Sequence, residues 1–322
     1  MPLILTGLVL ALSGAFAWSL WGYSRDEPLR KQVRLSSGHN QSVPPAPVTP
    51  AKLPLRIAVA AVISPKETMK AYGGFVQYLS RKLDRPVELV QRNTYSEINQ
   101  LVRDGYVSVA LVCSKPYVDG HRDFGMELLA IPQVNGRVRY RSYIIVPESS
   151  PARSLKDLRG KSFAFSDPLS YSGKFAPTYM LWKMGEKPET FFHRYVFTYS
   201  HDRSIKAVAE KLVDGASVDS MVYEYMVTRT PDYVSKVRIV DRSPEVGNTP
   251  FVVHPGLDRE LKLRLRNLFL TMHEDPEGRQ ILTELMIDRF VVPDDSLFEP
   301  IRTMEAQVLG QEGSRAKRSS EH

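Results

Sequence analysis

The sequence predicts an α/β protein of two lobes, each built on a largely parallel sheet, and three observations carry that expectation. Short apolar strands alternate with amphipathic helices from residue 55 onward, and the alternation restarts at Ser154 after two longer strands. A hydroxyl-rich turn, Ser166-Asp-Pro-Leu-Ser-Tyr-Ser-Gly173, lies between a strand and a helix of the second run.

In the first lobe, residues 55–62 are continuously apolar and read as a buried strand, after which Tyr72, Phe75, Val76, Leu79 and Leu83 fall at helical spacing. Residues 86–90 read as a strand and 96–102 as a helix with Ile98, Leu101 and Val102 inward. After the Asp104-Gly105 turn comes a second buried strand over 107–112. Strands over 127–131 and 139–146 follow. The second lobe opens with a short helix at Ser154, a strand over 162–165 and a helix starting near Ser172.

A strand over 195–198 leads to His201-Asp202, which opens a helix carrying Ile205, Val208, Ala209, Leu212 and Val213 and stopped by Asp214-Gly215. Asp202 suits the positive end of that helix. Strands over 218–222 and 238–240 flank a short helix over 223–228, and a strand over 250–254 crosses back to the first lobe. Helices over 258–273 and 277–287 close the body. The expected organisation is a signal peptide or membrane anchor over 1–23, a Pro-rich linker over 24–54, lobe 1 from 55–143 and 249–306, lobe 2 from 144–248, and a disordered polar tail over 307–322.

The chain has 322 residues and a formal charge of +7, but several basic residues lie outside the folded body, and no basic stripe is interleaved with aromatics. A nucleic-acid partner is therefore not expected. Residues 3–21 are apolar and uncharged and precede a polar segment, which is the pattern of an export signal or an uncleaved anchor. Ala15-Phe-Ala17 offers a small-residue cleavage pattern, although no Lys or Arg precedes the apolar run. Export to the periplasm is the expectation. Cys113 is the only cysteine, so no internal disulfide forms.

The turn at 166–173 reads as an anion cradle. Backbone N–H groups at a helix start point outward with the positive end of the dipole, Ser170, Tyr171 and Ser172 add hydroxyls, and Gly173 lets a ligand approach the backbone. The same residue types also cap helices for structural reasons alone. His201 either donates to a bound anion or caps its own turn, and Lys174 is expected to be solvated. Cys113, at the C-terminal end of a central strand, is either a small apolar filler or a soft ligand for a thiophilic species.

No histidine has metal-ligand spacing with Cys or acids, and the chain lacks a nucleophile elbow, a Walker loop and a dinucleotide fingerprint. An enzyme, with Ser172 and His201 as a hydrolytic pair, is the weakest reading. No cofactor is expected.

Five segments together resemble the phosphonate-binding (PhnD-like) group of periplasmic solute-binding proteins. They are residues 72–86 ending in Leu-Asp-Arg-Pro86, Asn93-Thr-Tyr95 with Asp104-Gly105, Val109-Ala-Leu-Val-Cys-Ser-Lys-Pro-Tyr117, Asp167-Pro-Leu-Ser-Tyr-Ser-Gly173, and Ser200-His-Asp202 with Gly215 to Asp219. The resemblance spans residues 55 to about 301. It implies a type II periplasmic-binding-protein fold whose lobes close over a ligand, binding rather than catalysis, and an ABC permease as partner.

It also implies that Ser170, Tyr171, Ser172, His201, Tyr95 and Tyr117 hold a phosphonate, phosphite or phosphate-like oxyanion. Tyr171 departs from the small hydroxyl residue usual there, and no acid pair for an aminophosphonate is securely placed, Asp219 reading as the end of a strand. Relatives of this group act as arsenite sensors that signal to a membrane histidine kinase through a cleft cysteine. Cys113 keeps that alternative open.

Overall fold

The computed structural model describes the backbone of residues 53–320 and the side chains of residues 53–310. The apolar segment over 3–21 and the Pro-rich segment up to residue 52 lie outside the described residues. Among the described residues no helix is long and apolar enough to cross a membrane.

Lobe 1 begins with β1 (Leu55–Val59), α1 (Pro65–Leu83), β2 (Val87–Gln91), α2 (Tyr95–Arg103), β3 (Val109–Leu111), α3 (Ser114–Phe124) and β4 (Glu127–Gln133). The crossing segment is β5 (Arg139–Tyr140). Lobe 2 holds β6 (Ser142–Pro147), β7 (Ser162–Phe165), a π-turn over Tyr171–Phe175, α4 (Ala176–Lys183), α5 (Pro188–Phe191), β8 (Arg194–Phe197), α6 (His201–Ala209), β9 (Gly215–Asp219), α7 (Ser220–Arg229), α8 (Pro231–Val234) and β10 (Val237–Arg242). The chain returns through β11 (Val246–Gly247) into β12 (Phe251–Val253), α9 (Arg259–Thr271), α10 (Pro276–Glu284), β13 (Arg289–Val291) and α11 (Glu299–Ser320).

The lobe 1 sheet has the order β13-β4-β12-β3-β1-β2, and the lobe 2 sheet β10-β6-β9-β7-β8. In each, the strand entering from the other lobe runs antiparallel to its neighbours: β12 against β3 and β4, and β6 against β9 and β10. The other central pairs are parallel. A two-stranded ribbon of β5 and β11 joins the lobes. This is the two-lobed architecture that the sequence predicts.

The predicted strand over 139–146 is two strands, because Arg141 breaks between the hinge ribbon and the lobe 2 sheet. The predicted strand over 218–222 ends at Asp219, whose carboxylate Oδ1 accepts the N–H groups of Met221 and Val222 and so starts α7.

The segment expected as a disordered tail from residue 307 instead continues α11, whose backbone is helical to Ser320. The first half of that helix buries Ile301 and Met304, and its contacts reach both lobes: Glu305 pairs with Lys115 of α3 at 2.8 Å, and Gln307 accepts from Tyr179 of α4 at 2.7 Å. Tertiary contact of this kind supports a helix that composition alone would not.

Candidate functional site

The loops that follow the C-terminal ends of β2, β3, β7 and β8, together with the end of β9, converge between the lobes. Open α/β sheets bind ligands at these strand ends. The lobes are closed across them. Tyr95 N–H, at the start of α2, donates to Asp167 Oδ2 at 3.1 Å, and Ser64 N–H, before α1, donates to Asp202 Oδ1 at 2.9 Å. Two lobe 2 carboxylates therefore cap two lobe 1 helices. Asp202 serves a helix of the facing lobe rather than only its own. His201 N–H donates to Val62 O at 3.1 Å, and Tyr171 N–H points to Cys113 Sγ at 3.4 Å.

Ser170 is the cap of the π-turn, its Oγ accepting from Gly173 N–H at 2.9 Å, which leaves its proton free to donate. Gly173 is required there, since a Cβ would lie 1.7 Å from Ser166 Oγ and 3.0 Å from His201 Cε1.

His201 is fully buried, and its Nδ1 accepts the Asp219 N–H at 3.1 Å. An accepting Nδ1 carries no proton, so the neutral ring holds its proton on Nε2. Burial pushes its pKa down to about 3, which keeps the ring neutral. Nε2 lies 3.4 Å from Ser166 Oγ and 3.5 Å from Ser170 Oγ. Of the two readings of His201, a donor into the cradle fits this geometry. Its Nδ1 is held by β9, not by its own turn.

Ser172 Oγ and Tyr95 Oη are fully buried without a hydrogen-bond partner. Buried hydroxyls without partners are uncommon because desolvating them costs about 1–3 kcal/mol each. The Tyr95 hydroxyl faces the capping Ser170, and Ser172 lies in the turn that Ser170 caps.

Cys113 precedes α3, with Sγ 3.5 Å from Tyr140 Oη and 4.0 Å from Ser170 Oγ. Burial pushes its thiol pKa up, so the sulfur is protonated. Tyr140, from the hinge ribbon, stands on this side of the site, and neither periodicity nor motif pointed to it.

Asp219 was also missed as a site residue. Its Oδ2 is buried and unpaired, and burial pushes its pKa up to about 7; the pKa values of Tyr95, Tyr140 and Cys113 are raised chiefly by their own burial, with a smaller contribution from Asp219 when it is ionised. Its position as the last residue of a strand directly before a helix was the available signal.

Two predicted residues point elsewhere. The Tyr117 hydroxyl donates to Asp295 Oδ1 at 2.6 Å while its ring packs on Phe298, 4.7 Å between centroids. The Tyr171 hydroxyl donates to Pro244 O at 2.8 Å, so this residue contributes its backbone N–H to the site and its side chain to the hinge.

Lys174, expected to be solvated, sits 4.1 Å from the centroid of Phe165 and 4.8 Å from that of Tyr195, and burial lowers its pKa. A Ser172–His201 pair is not formed, since Nε2 lies by Ser166 and Ser170 and no acid holds Nδ1. Among the described residues no cluster of three His, Cys, Asp or Glu side chains could hold a metal ion.

Residues 57–298 match the model of a family described as the phosphonate periplasmic substrate-binding protein of ABC transporters. The chain is 25% identical over 255 residues to the phosphonates-binding periplasmic protein of Escherichia coli (strain K12), covering 78% of this chain and 75% of that protein. It is 27% identical over 248 residues to the phosphate-import protein PhnD of Mycolicibacterium smegmatis, covering 73% and 77%. Among solved structures, a binding-protein component of an ABC phosphonate transporter from Pseudomonas aeruginosa superposes with a TM-score of 0.75 at 25% identity, covering 79% of this chain and 86% of that one. PhnD1 of Prochlorococcus marinus in complex with methylphosphonate superposes with a TM-score of 0.72 at 20% identity, covering 80% and 98%, and shows the same fold. With a family model matched over most of its length and a closed two-lobed cleft lined by neutral donors, this chain belongs to the periplasmic substrate-binding proteins of phosphonate ABC transporters.

Proposed function

We propose that the protein captures a phosphonate, phosphite or phosphate-like oxyanion in the periplasm and presents it to an ABC permease. The observation that carries this reading is the buried His201 Nε2–H set against the hydroxyls of Ser166 and Ser170, with two further hydroxyls, Ser172 and Tyr95, buried without partners. An anion entering this closed cradle would gain charge-assisted hydrogen bonds of about 1.5–3 kcal/mol each. It would need no salt bridge. Residues 1–23 would export the chain or anchor it to the membrane.

A second reading keeps the fold and changes what senses closure. Cys113 Sγ lies within the cradle, beside Tyr140 and Ser170. Arsenite, as arsenous acid, would condense with the thiol, an As–S bond replacing one As–OH bond while the thiol proton leaves with that hydroxide as water, and the closed form would then signal to a sensor kinase.

Isothermal titration with phosphate, phosphite, methylphosphonate, sulfate and arsenite, on wild type and Cys113→Ser, separates the two. Binding of a phosphorus oxyanion by both proteins is the expected result. Arsenite binding that vanishes in Cys113→Ser would replace capture for import with sensing.

A further inference from the structure

Beside the cradle lies an apolar chamber of about 110 Å³ that none of the oxyanion-binding groups uses. Its lobe 1 wall includes Val62, Ala71 and Leu111, and its lobe 2 wall includes Met221 and Val222 at the start of α7. It is therefore part of the cleft between the lobes.

Two residues form the partition between chamber and cradle. Val62 lends its carbonyl to the His201 N–H at 3.1 Å, and the Met221 N–H is held by Asp219 at 2.7 Å, while the side chains of both line the chamber. The same two side chains pack against the core cluster that contains Tyr95, Cys113, Tyr140 and Tyr171. Val62 and Met221 thus touch both the chamber and the residues around the cradle. Met221 is the more adaptable side of that partition, because an unbranched thioether changes rotamer readily.

We infer that the chamber receives the organic substituent of a phosphonate whose phosphorus occupies the cradle, so that the preferred ligand is an alkylphosphonate with a short apolar chain. This deepens the reading of the site as an oxyanion receptor and rests on it. The chamber is somewhat smaller than the ~150 Å³ apolar cavity known to admit benzene, which suits a chain of three or four carbons. Its walls are apolar, and the one carboxylate at its edge, Glu224, accepts from Asn135 at 3.2 Å. An ammonium group at the end of the substituent would lose hydration against the mainly apolar walls, with Glu224 at the edge as its one counter-charge.

The experiment is a titration series on the full chain with methyl-, ethyl-, propyl-, butyl- and 2-aminoethylphosphonate, on wild type and on Ala71→Phe, which fills the chamber from α1 away from the cradle. Each methylene that enters the chamber should tighten binding about fourfold, with the gain ending near butyl. In Ala71→Phe, methylphosphonate affinity should be retained and the chain-length gain lost. Val222→Phe serves the same purpose from the facing lobe if Ala71→Phe does not fold.

Affinity that is flat or falls with chain length, in a protein that binds methylphosphonate, would overturn the chamber's role and leave the oxyanion receptor standing. Tighter binding of 2-aminoethylphosphonate than of propylphosphonate would do the same. Failure of every phosphonate and of phosphate to bind would remove the oxyanion reading itself, and the chamber's role with it.

Discussion

Lobe 2 faces the cleft with Ser170, Ser172, His201 and Asp219, all polar and all set by the ends of β7, β8 and β9. Lobe 1 faces it with Tyr95, Cys113 and the apolar ends of β1 and β3. On the proposed function, recognition of charge falls to one lobe, and shape and closure to the other. Under that function an oxyanion would dock on lobe 2 before the cleft shuts. Lobe 1 then adds one hydroxyl, one thiol and an apolar surface, so changes in lobe 2 should affect whether an anion binds and changes in lobe 1 which anion is preferred.

The comparison breaks if the two lobes prove interchangeable in mutant titrations. Gly173→Ala has the largest expected effect: a Cβ 1.7 Å from Ser166 Oγ must displace Ser166 and His201 together, and calorimetry should show anion binding lost.

Next comes Asp219→Asn. Folding raises the Asp219 pKa to about 7, so its carboxyl takes up a proton on folding, and its contribution to stability falls as pH rises from about 4 through 7. His201 has the opposite sign: its pKa drops to about 3, so its contribution is present above about 6.5 and is lost as pH falls from there toward 3. The two slopes largely cancel between about pH 4 and 6.5 in the wild type. Asp219→Asn should uncover the histidine slope, melting temperature rising with pH over that window, and should stabilise the protein at pH 8 by about 2–4 kcal/mol. A melting profile parallel to that of the wild type would show that Asp219 is not held protonated.

Tyr95→Phe tests the lobe 1 side. Its hydroxyl is buried and unpaired, so removing it should leave the ligand-free protein as stable or slightly more so while weakening anion binding roughly tenfold. A loss as complete as that of Gly173→Ala would erase the division between lobes.

The smallest effect is expected from Asp202→Asn, which weakens the bond to the Ser64 N–H across the cleft. Small-angle scattering should then detect a more open molecule, with affinity reduced only about two- to fivefold.

Much of this was legible in the sequence because it rests on local patterns. The strand-helix alternation, the cradle at Ser170 to Gly173 and the histidine at the start of α6 each follow from spacing or from turn chemistry. The readings that failed depend on tertiary direction. Tyr117 lies on a helix beginning one residue after Cys113, and only the packing of α3 against Phe298 turns it toward Asp295. Tyr140 enters the site because the hinge ribbon brings it there. Lys174 is adjacent in sequence to Gly173 and points to rings on β7 and β8. The start of α11 was hidden by polar composition, since Glu305 and Gln307 are held there by contact with α3 and α4.

That helix also makes the molecule mechanically readable. At 22 residues it is about 33 Å long, and it is gripped near one end by Lys115 of one lobe and Tyr179 of the other. When the lobes part, one grip must slip, so the first half of α11 registers the change. A fluorophore attached at Leu309, which is exposed on that helix, paired with another on lobe 2, would convert closure into an optical signal without touching the cleft.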